Sequence, residues 1–326
     1  MTAIAVIQAR MGSTRLPGKV LMDLGGRPML GLMLERLAPL VGHQIDQLVV
    51  ATSTLDLDDP VAEQAARSGA SVVRGSEQDV LSRYLSALDR HPADTLVRLT
   101  ADCPLIDPAI VVAALDVHAE SGATYTSNTL VRTYPDGLDV EVLASAALRQ
   151  AGAEATDPAE REHVTPFVYR RPARFALRAF RSGADLGHER WTVDTTEDID
   201  DLRQVVAGVD SPTRASWTQM LAVAGRRRGP GPGQLWLRPF DAADQAGLVE
   251  RGRPLPPGLI DRLDDASART WTAERDGIAQ GWLRVAVDEG VGRLSWSLPT
   301  EDVAAARSML DRSLAADLQV VSLVEV

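Results

Sequence analysis

The chain has 326 residues, and 34 Lys+Arg against 45 Asp+Glu give a formal net charge of −11, which argues against any broad coating of nucleic acid. Its 45% hydrophobic and 24% charged residues mark a globular chain, and no stretch approaches the roughly 20 apolar residues of a membrane span. One cysteine, Cys103, excludes an intrachain disulfide framework and any cysteine-built zinc or iron-sulfur site, and fits a reducing cytoplasm.

The opening apolar run is broken by Gln8 and Arg10, too soon for the core of a signal peptide. Residues 4–8 (IAVIQ) predict a first strand, almost wholly apolar as a strand buried on both faces requires. Residues 28–40 predict a helix with Pro28 in its first turn and Met29, Leu32, Met33 and Leu37 on one stripe. There follow a strand at 47–52, a helix at 60–68 closed by Gly69, a strand at 71–75, a helix at 77–90 and a strand at 95–100. A helix at 107–121 and strands at 138–143 (LDVEVL), 174–180 (RFALRAF) and 191–193 (WTV) come next. After Asp194 a helix opens with Thr195 and Asp198 spaced as a capping box, Asp replacing the usual Glu. This alternation predicts an α/β fold with a mostly parallel, Rossmann-like sheet and flanking helices. The Gly/Pro-rich run GRRRGPGPGQ predicts a linker at 226–233 between a domain at 1–225 and a smaller α+β domain at 234–326, which holds four of the six tryptophans.

Directly after the first strand, residues 8–19 (QARMGSTRLPGK) combine Gly12 and Gly18 with the hydroxyls of Ser13 and Thr14 and the cations Arg10, Arg15 and Lys19. Glycines allow close approach of a ligand and the cations neutralise a polyphosphate, at the strand end where open α/β sheets bind ligands. The spacing matches neither the P-loop nor the dinucleotide fingerprint. A solvated basic loop is the alternative.

The run IQARMGSTRLPGKVL closely resembles the opening of the cytidylyltransferase family that includes CMP-KDO and CMP-sialic acid synthetases, especially its SpsF-like branch, named for spore-coat polysaccharide biosynthesis. The likeness continues in order through VVATS (49–53), VVRGSEQDVLSRY (72–84), RLTADCPLIDP (98–108), YPDGLDVEV (134–142), EHVTPFVY (162–169) and WTVDTTEDI (191–199). It implies a nucleotide-diphospho-sugar transferase fold, transfer of CMP from CTP to an anionic sugar-type acceptor, and a homodimer.

Asp102 and Asp194 follow two separate strands, where paired carboxylates can converge on one Mg²⁺. Each alone reads equally well as a turn or cap residue. The resemblance implies that both are metal ligands and, with Arg10 and Lys19, catalytic. It also implies that Arg10, Gly12, Ser13, Arg15 and Lys19 bind nucleotide and that Arg74 and Ser76 approach it; the Ala9 backbone, Thr52 and Ser53 are further candidates for donors and acceptors at the base edge. Asp139 and Glu141 alternate at a strand entrance and are expected to share a face, either towards acceptor hydroxyls or a second metal, or as the solvent side of an edge strand. His163, among Arg161, Glu162 and Thr165, is either an acceptor contact or a helix-surface histidine.

Residues 235–326 weakly resemble the Gcn5-related acetyltransferase fold: a strand, a helix capped by Asp241, a hairpin, a helix at 301–315 and a last strand at 318–326. The stretch LPTEDVAAARSML lacks the glycine loop that fold uses for acetyl-CoA, and it puts Glu301 and Asp302 where an anion would sit. This predicts a degenerate accessory domain. Two rival readings of the whole chain are a non-catalytic nucleotide- or sugar-binding regulator and an acetyltransferase acting through this domain.

Overall fold

The computed structural model describes residues 2–182, 185–228, 236–240, 244–257, 268–275, 278–288, 291–304, 306 and 322–325. They form two compact units, Met1–Arg181 with Leu186–Ala215, and Ser182–Asp185 with Ser216–Val326. Among the described residues no helix is long and apolar enough to cross a membrane.

The first unit is built on seven strands: β1 (Ala3–Gln8), β2 (Gln47–Ser53), β3 (Ser71–Gly75), β4 (Thr95–Thr100), β5 (Tyr125–Ser127), β6 (Glu141–Ala144) and β7 (Leu177–Ala179). Their order in the sheet is β3-β2-β1-β4-β6-β5-β7. The first four run parallel, β6 is antiparallel to both β4 and β5, and β5 and β7 are parallel. The helices are α1 (Met29–Leu37), α2 (Asp59–Arg67), α3 (Val80–Arg90), α4 (Pro108–Ser121), α5 (Ser145–Glu154), α6 (Pro158–His163), α7 (Pro166–Tyr169) and α8 (Thr196–Ala207). Central β1 is covered on both faces, which is why Ala3 to Ile7 are all apolar and no more than 5% exposed. One core joins Ile4, Val6, Val49 and Leu96 of the sheet to Leu81, Tyr84 and Leu88 of α3 and to Leu148 of α5. Because β2 lies on one side of β1 and β4 on the other, the chain direction across the sheet reverses at β1/β4, opening a crevice at their carboxyl ends.

Several elements differ from expectation for local reasons. The first helix stops at Leu37 and tightens into a 3-10 turn at Ala38–Leu40, where Pro39 withdraws an amide donor. Strand β6 begins only at Glu141, since the Asn128 carboxamide takes up the backbone ahead of it: Nδ2 donates to Leu138 O (2.7 Å) and Oδ1 accepts from Val140 N (2.9 Å). The strand expected at 174–180 shortens to β7. Residues 191–193 form no strand; Arg190 makes an isolated bridge to Asp136, and the amides of Trp191 and Val193 donate instead to Asp136 O (2.6 Å) and Asp102 O (2.9 Å). The capping box of α8 forms as expected, Asp198 standing at its third helical position.

His118 of α4 is buried, with Nδ1 3.0 Å from Thr126 Oγ1. Burial lowers its pKa. An unfolded chain takes up a proton near its ordinary value of about 6.5 that the folded ring resists, so this contribution to stability is complete above that pH and is lost as pH falls. Urea denaturation of His118→Gln should show a smaller decline in midpoint between pH 7 and pH 5 than the parent protein.

The second unit carries α9 (Trp217–Arg228), β8 (Trp236–Pro239), α10 (Asp244–Glu250), β9 (Ala268–Arg275), β10 (Ile278–Asp288), β11 (Val291–Ser297) and β12 (Ser322–Glu325). Its sheet order is β12-β11-β10-β9-β8, with only β11 and β12 parallel. Trp271, Leu283, Val285 and Leu294 form its core. Residues 226–228, expected in the linker, continue α9: the helix breakers Gly229 and Pro230 come later, and arginine is a good helix former. The rest of the expected linker and the Asp241 cap lie outside the described residues, as does most of the helix expected at 301–315, of which residues 301–304 and 306 are helical.

Candidate active site

A cavity of about 360 Å³ opens at the β1/β4 crevice. Its floor is the carboxyl ends of the two strands, Gln8–Arg10 and Thr100–Asp102. One wall is the glycine-containing loop with Gly12, Ser13, Arg15 and Lys19, and opposite stand Val80, Arg83, Glu162 and His163. Asp194 closes the rim. The fold therefore brings Ala9, Arg10, Gly12, Ser13, Arg15, Lys19, Asp102, His163 and Asp194 around one space.

The loop is fixed at both ends. Gly18 takes φ 73°, which a residue with a Cβ rarely adopts, and its amide donates to Met11 O at 2.9 Å. The Met11 amide in turn donates to Asp58 Oδ1 at 2.6 Å, while the other oxygen of buried Asp58 accepts from the Ser53 amide at 3.3 Å and from the Ser53 hydroxyl. Arg10 keeps a guanidinium 40% exposed, with only a 3.5 Å approach to Glu77, so it is free to meet an anion. Nothing in the acidic run around Asp58 marks it out in the sequence, since the partner amide lies across the fold.

The acidic pair meets through Lys19. Its Nζ lies 3.0 Å from Asp194 Oδ1 and 3.3 Å from Asp102 Oδ2, and donates to Val193 O at 2.6 Å. Asp194 also receives Arg15 Nη2 on Oδ1 (2.8 Å) and Arg190 Nη2 on Oδ2 (2.6 Å). Burial alone raises its pKa, but the bonds and charge of Lys19, then Arg190 and Arg15, hold the carboxyl below its usual range. Arg190 further contacts Asp198 (3.3 Å) and Asp136 (2.9 Å), tying the start of α8 to the segment at 134–138. Gly137 permits this approach: at φ 112° its would-be Cβ falls 2.5 Å from the Trp191 carbonyl carbon and 2.7 Å from the Thr192 nitrogen, both backbone atoms that cannot yield.

Other expected residues stand elsewhere. Asp139 and Glu141 share no strand face, because β6 starts at Glu141. Asp139 forms a bidentate pair with Arg132 (2.7 and 2.9 Å), outside the residues lining this cavity. Glu141 is buried, bonded to Arg98 Nη1 and accepting from Tyr125 Oη at 2.7 Å. Arg98 passes the connection on, donating from Nη2 to Gln8 Oε1 (3.1 Å), which also accepts from Tyr84 Oη (3.2 Å). Burial pushes the Tyr84 phenol up to about 12, so it stays a donor. Thr52, Ser53, Arg74 and Ser76 do not line the cavity. Thr52 and Ser53 are fully buried, and Arg74 bonds Ser53 O (2.8 Å), Leu55 O (2.9 Å) and Asp59 (2.6 Å). The Ala9 amide is committed to Ala51 O at 3.2 Å.

Next to His163 the backbone is strained. Val164 has φ 72° and ψ −56°, and the Thr165 amide donates back to His163 O at 2.9 Å, a γ-turn of the rarer hand centred on a β-branched residue. Such strain persists only where surrounding packing imposes it, and Val164 is wholly buried.

The family model for cytidylyltransferases matches residues 4–213. The spore coat polysaccharide biosynthesis protein SpsF of Bacillus subtilis is 30% identical over 226 residues, covering 68% of this chain and 93% of that protein. The 3-deoxy-manno-octulosonate cytidylyltransferase of Nitrobacter hamburgensis is 29% identical, covering 65% and 95%. Among solved structures, a cytidylyltransferase from Leptospira borgpetersenii superposes with a TM-score of 0.65 at 35% identity, covering 68% of this chain and 93% of that one. The matched region carries the whole β1/β4 crevice, and the chain belongs to the cytidylyltransferase family.

Proposed function

We propose that the protein is a Mg²⁺-dependent cytidylyltransferase that moves CMP from CTP to an acidic sugar or related anionic acceptor and releases pyrophosphate. The observation that carries this reading is the meeting of Arg10, Arg15 and Lys19 with Asp102 and Asp194 around one cavity. The donor set suits a hard divalent ion: two carboxylates already converge on a single cation, the Lys19 ammonium. Among the described residues no third His, Cys, Asp or Glu completes a protein-only cage, which matches the habit of Mg²⁺ to share its shell with substrate phosphates and water. When bound, the ion would neutralise charge on the phosphate oxygens.

In this reading an acceptor oxygen attacks the α-phosphorus of CTP in line, a hydroxyl acceptor giving up its proton to water, the bond to the bridging oxygen of the β-phosphate breaks, and pyrophosphate departs with that electron pair. Arg10, Arg15 and Lys19 grip the β- and γ-phosphates, acting mainly by position and charge. The wall with Glu162 and His163 supports an acceptor site, and the γ-turn at Val164 sets where that histidine emerges.

The test is pyrophosphate release with CTP, UTP, ATP or GTP and Mg²⁺ against a panel of acidic sugars, sugar phosphates and phosphonates. Release with CTP and one acidic acceptor is expected. Release with another nucleotide in preference to CTP would overturn the base assignment. Tight CTP binding with silence across the panel would favour a non-catalytic binding role.

A further inference from the structure

Lys19 Nζ touches both members of the acidic pair at once, at 3.0 and 3.3 Å, and takes the Val193 carbonyl as a third oxygen at 2.6 Å. An ammonium is a compact point charge with donors only, so each oxygen it holds is one that a divalent ion would want. Asp194 is further engaged by Arg15 on the same oxygen (2.8 Å) and by Arg190 on the other (2.6 Å). A free dication approaching this carboxylate meets three positive groups and finds both oxygens occupied. The Lys19 side chain is only 10% exposed, so bulk water competes poorly for it.

Two of those three cations, Lys19 and Arg15, also belong to the loop that faces an incoming triphosphate. Phosphate oxygens offer them a better-charged partner, and their departure clears the carboxylates. The exchange leaves no buried charge alone: ammonium pairs with phosphate while the dication pairs with carboxylate. We infer that the Lys19 ammonium is the resident counter-ion of the acidic pair in the free protein, and that nucleotide phosphate draws it away, so that the pair accepts a divalent ion only together with nucleotide. The inference rests on the metal reading under Proposed function. It makes nucleotide and metal mutually dependent ligands, each raising the other's affinity by the same factor.

The test uses the full chain and Mn²⁺ as a spectroscopic probe, with electron paramagnetic resonance titration in the absence of nucleotide and acceptor. Lys19→Met is expected to bind Mn²⁺ about tenfold or more tightly than the parent protein, a typical size for a coupling of this kind. Combining Lys19→Met with Asp102→Asn should abolish the gain. Lys19→Gln provides the same comparison if the methionine variant does not melt cooperatively. An unchanged Mn²⁺ affinity in folded Lys19 variants overturns the inference. A separate control isolates the metal reading: Mn²⁺ should tighten CTP binding to the parent protein but not to Asp102→Asn, followed by tryptophan fluorescence. If that control holds and the Lys19 variants gain nothing, displacement alone is wrong; if the control also fails, the acidic pair is not a metal site and both readings fall.

Discussion

Turnover of Asp102→Asn is expected to fall by about a hundredfold or more while the protein stays folded, the size of loss seen when one preorganised electrostatic contact to a transition state is removed. Asparagine keeps the volume and hydrogen-bonding reach of the side chain but gives up its charge. The fold should tolerate this, since Asp102 Oδ2 is only one of three oxygens around Lys19 Nζ and the side chain is 31% exposed. The backbone link from the Val193 amide to Asp102 O is untouched by the change. Steady-state pyrophosphate release alongside a thermal melt separates the two effects. Near-normal turnover would remove Asp102 from the reaction, whereas a large fall in melting temperature would show that the pair serves the fold.

Glu141→Ala should act in the opposite way, on stability first. Its carboxylate pairs with the Arg98 guanidinium, whose side chain is only 12% exposed, and removing it takes away that counter-charge together with the acceptor of the Tyr125 hydroxyl. Breaking one side of such a pair typically costs about 3–5 kcal/mol, for a unit of this size a drop in melting temperature on the order of 10 °C. Replacing both partners together, as Arg98→Met with Glu141→Leu, should recover much of the loss because neither charge is then left unpaired. Denaturant midpoints of the single and double variants give the comparison. If Glu141 instead bound the acceptor, the single variant would keep its midpoint and raise the acceptor KM.

Contrasting fates of neighbouring motifs show what a linear reading can carry. The strands around β1 and the helices that cover them announce themselves because hydrophobic periodicity is local, and the Thr195–Asp198 capping box is complete within four residues. The phosphate-type loop and Asp102 were legible for a related reason, since both lie just beyond the carboxyl end of a strand; Asp194 follows no strand and reaches the same space where the Val193 amide bonds to Asp102 O. The strand face expected to carry both Asp139 and Glu141 does not form, because the Asn128 carboxamide, ten and twelve residues back from Leu138 and Val140, holds the backbone ahead of Glu141 out of the ladder. The roles of Asp58 and Arg190 depend on partners far along the chain, such as Met11 for the one and Asp136 for the other, and no spacing rule encodes them. Gln8, the first residue of the loop run, and Arg83, within the stretch 72–84, are not singled out as cavity residues by the sequence, since a glutamine at the end of a strand gives no sign that Arg98 and Tyr84 will orient it.

The position of Cys103 has a practical reach. The thiol is buried beside Asp102, and burial, then that carboxylate, raises its pKa well above the ordinary value, so almost none is thiolate at neutral pH. Alkylating reagents and peroxide should therefore pass the folded protein by. Purification and storage can omit thiol reductants, which would themselves chelate Mn²⁺, and a cysteine introduced on the surface would take a fluorescent label without competition from the native one.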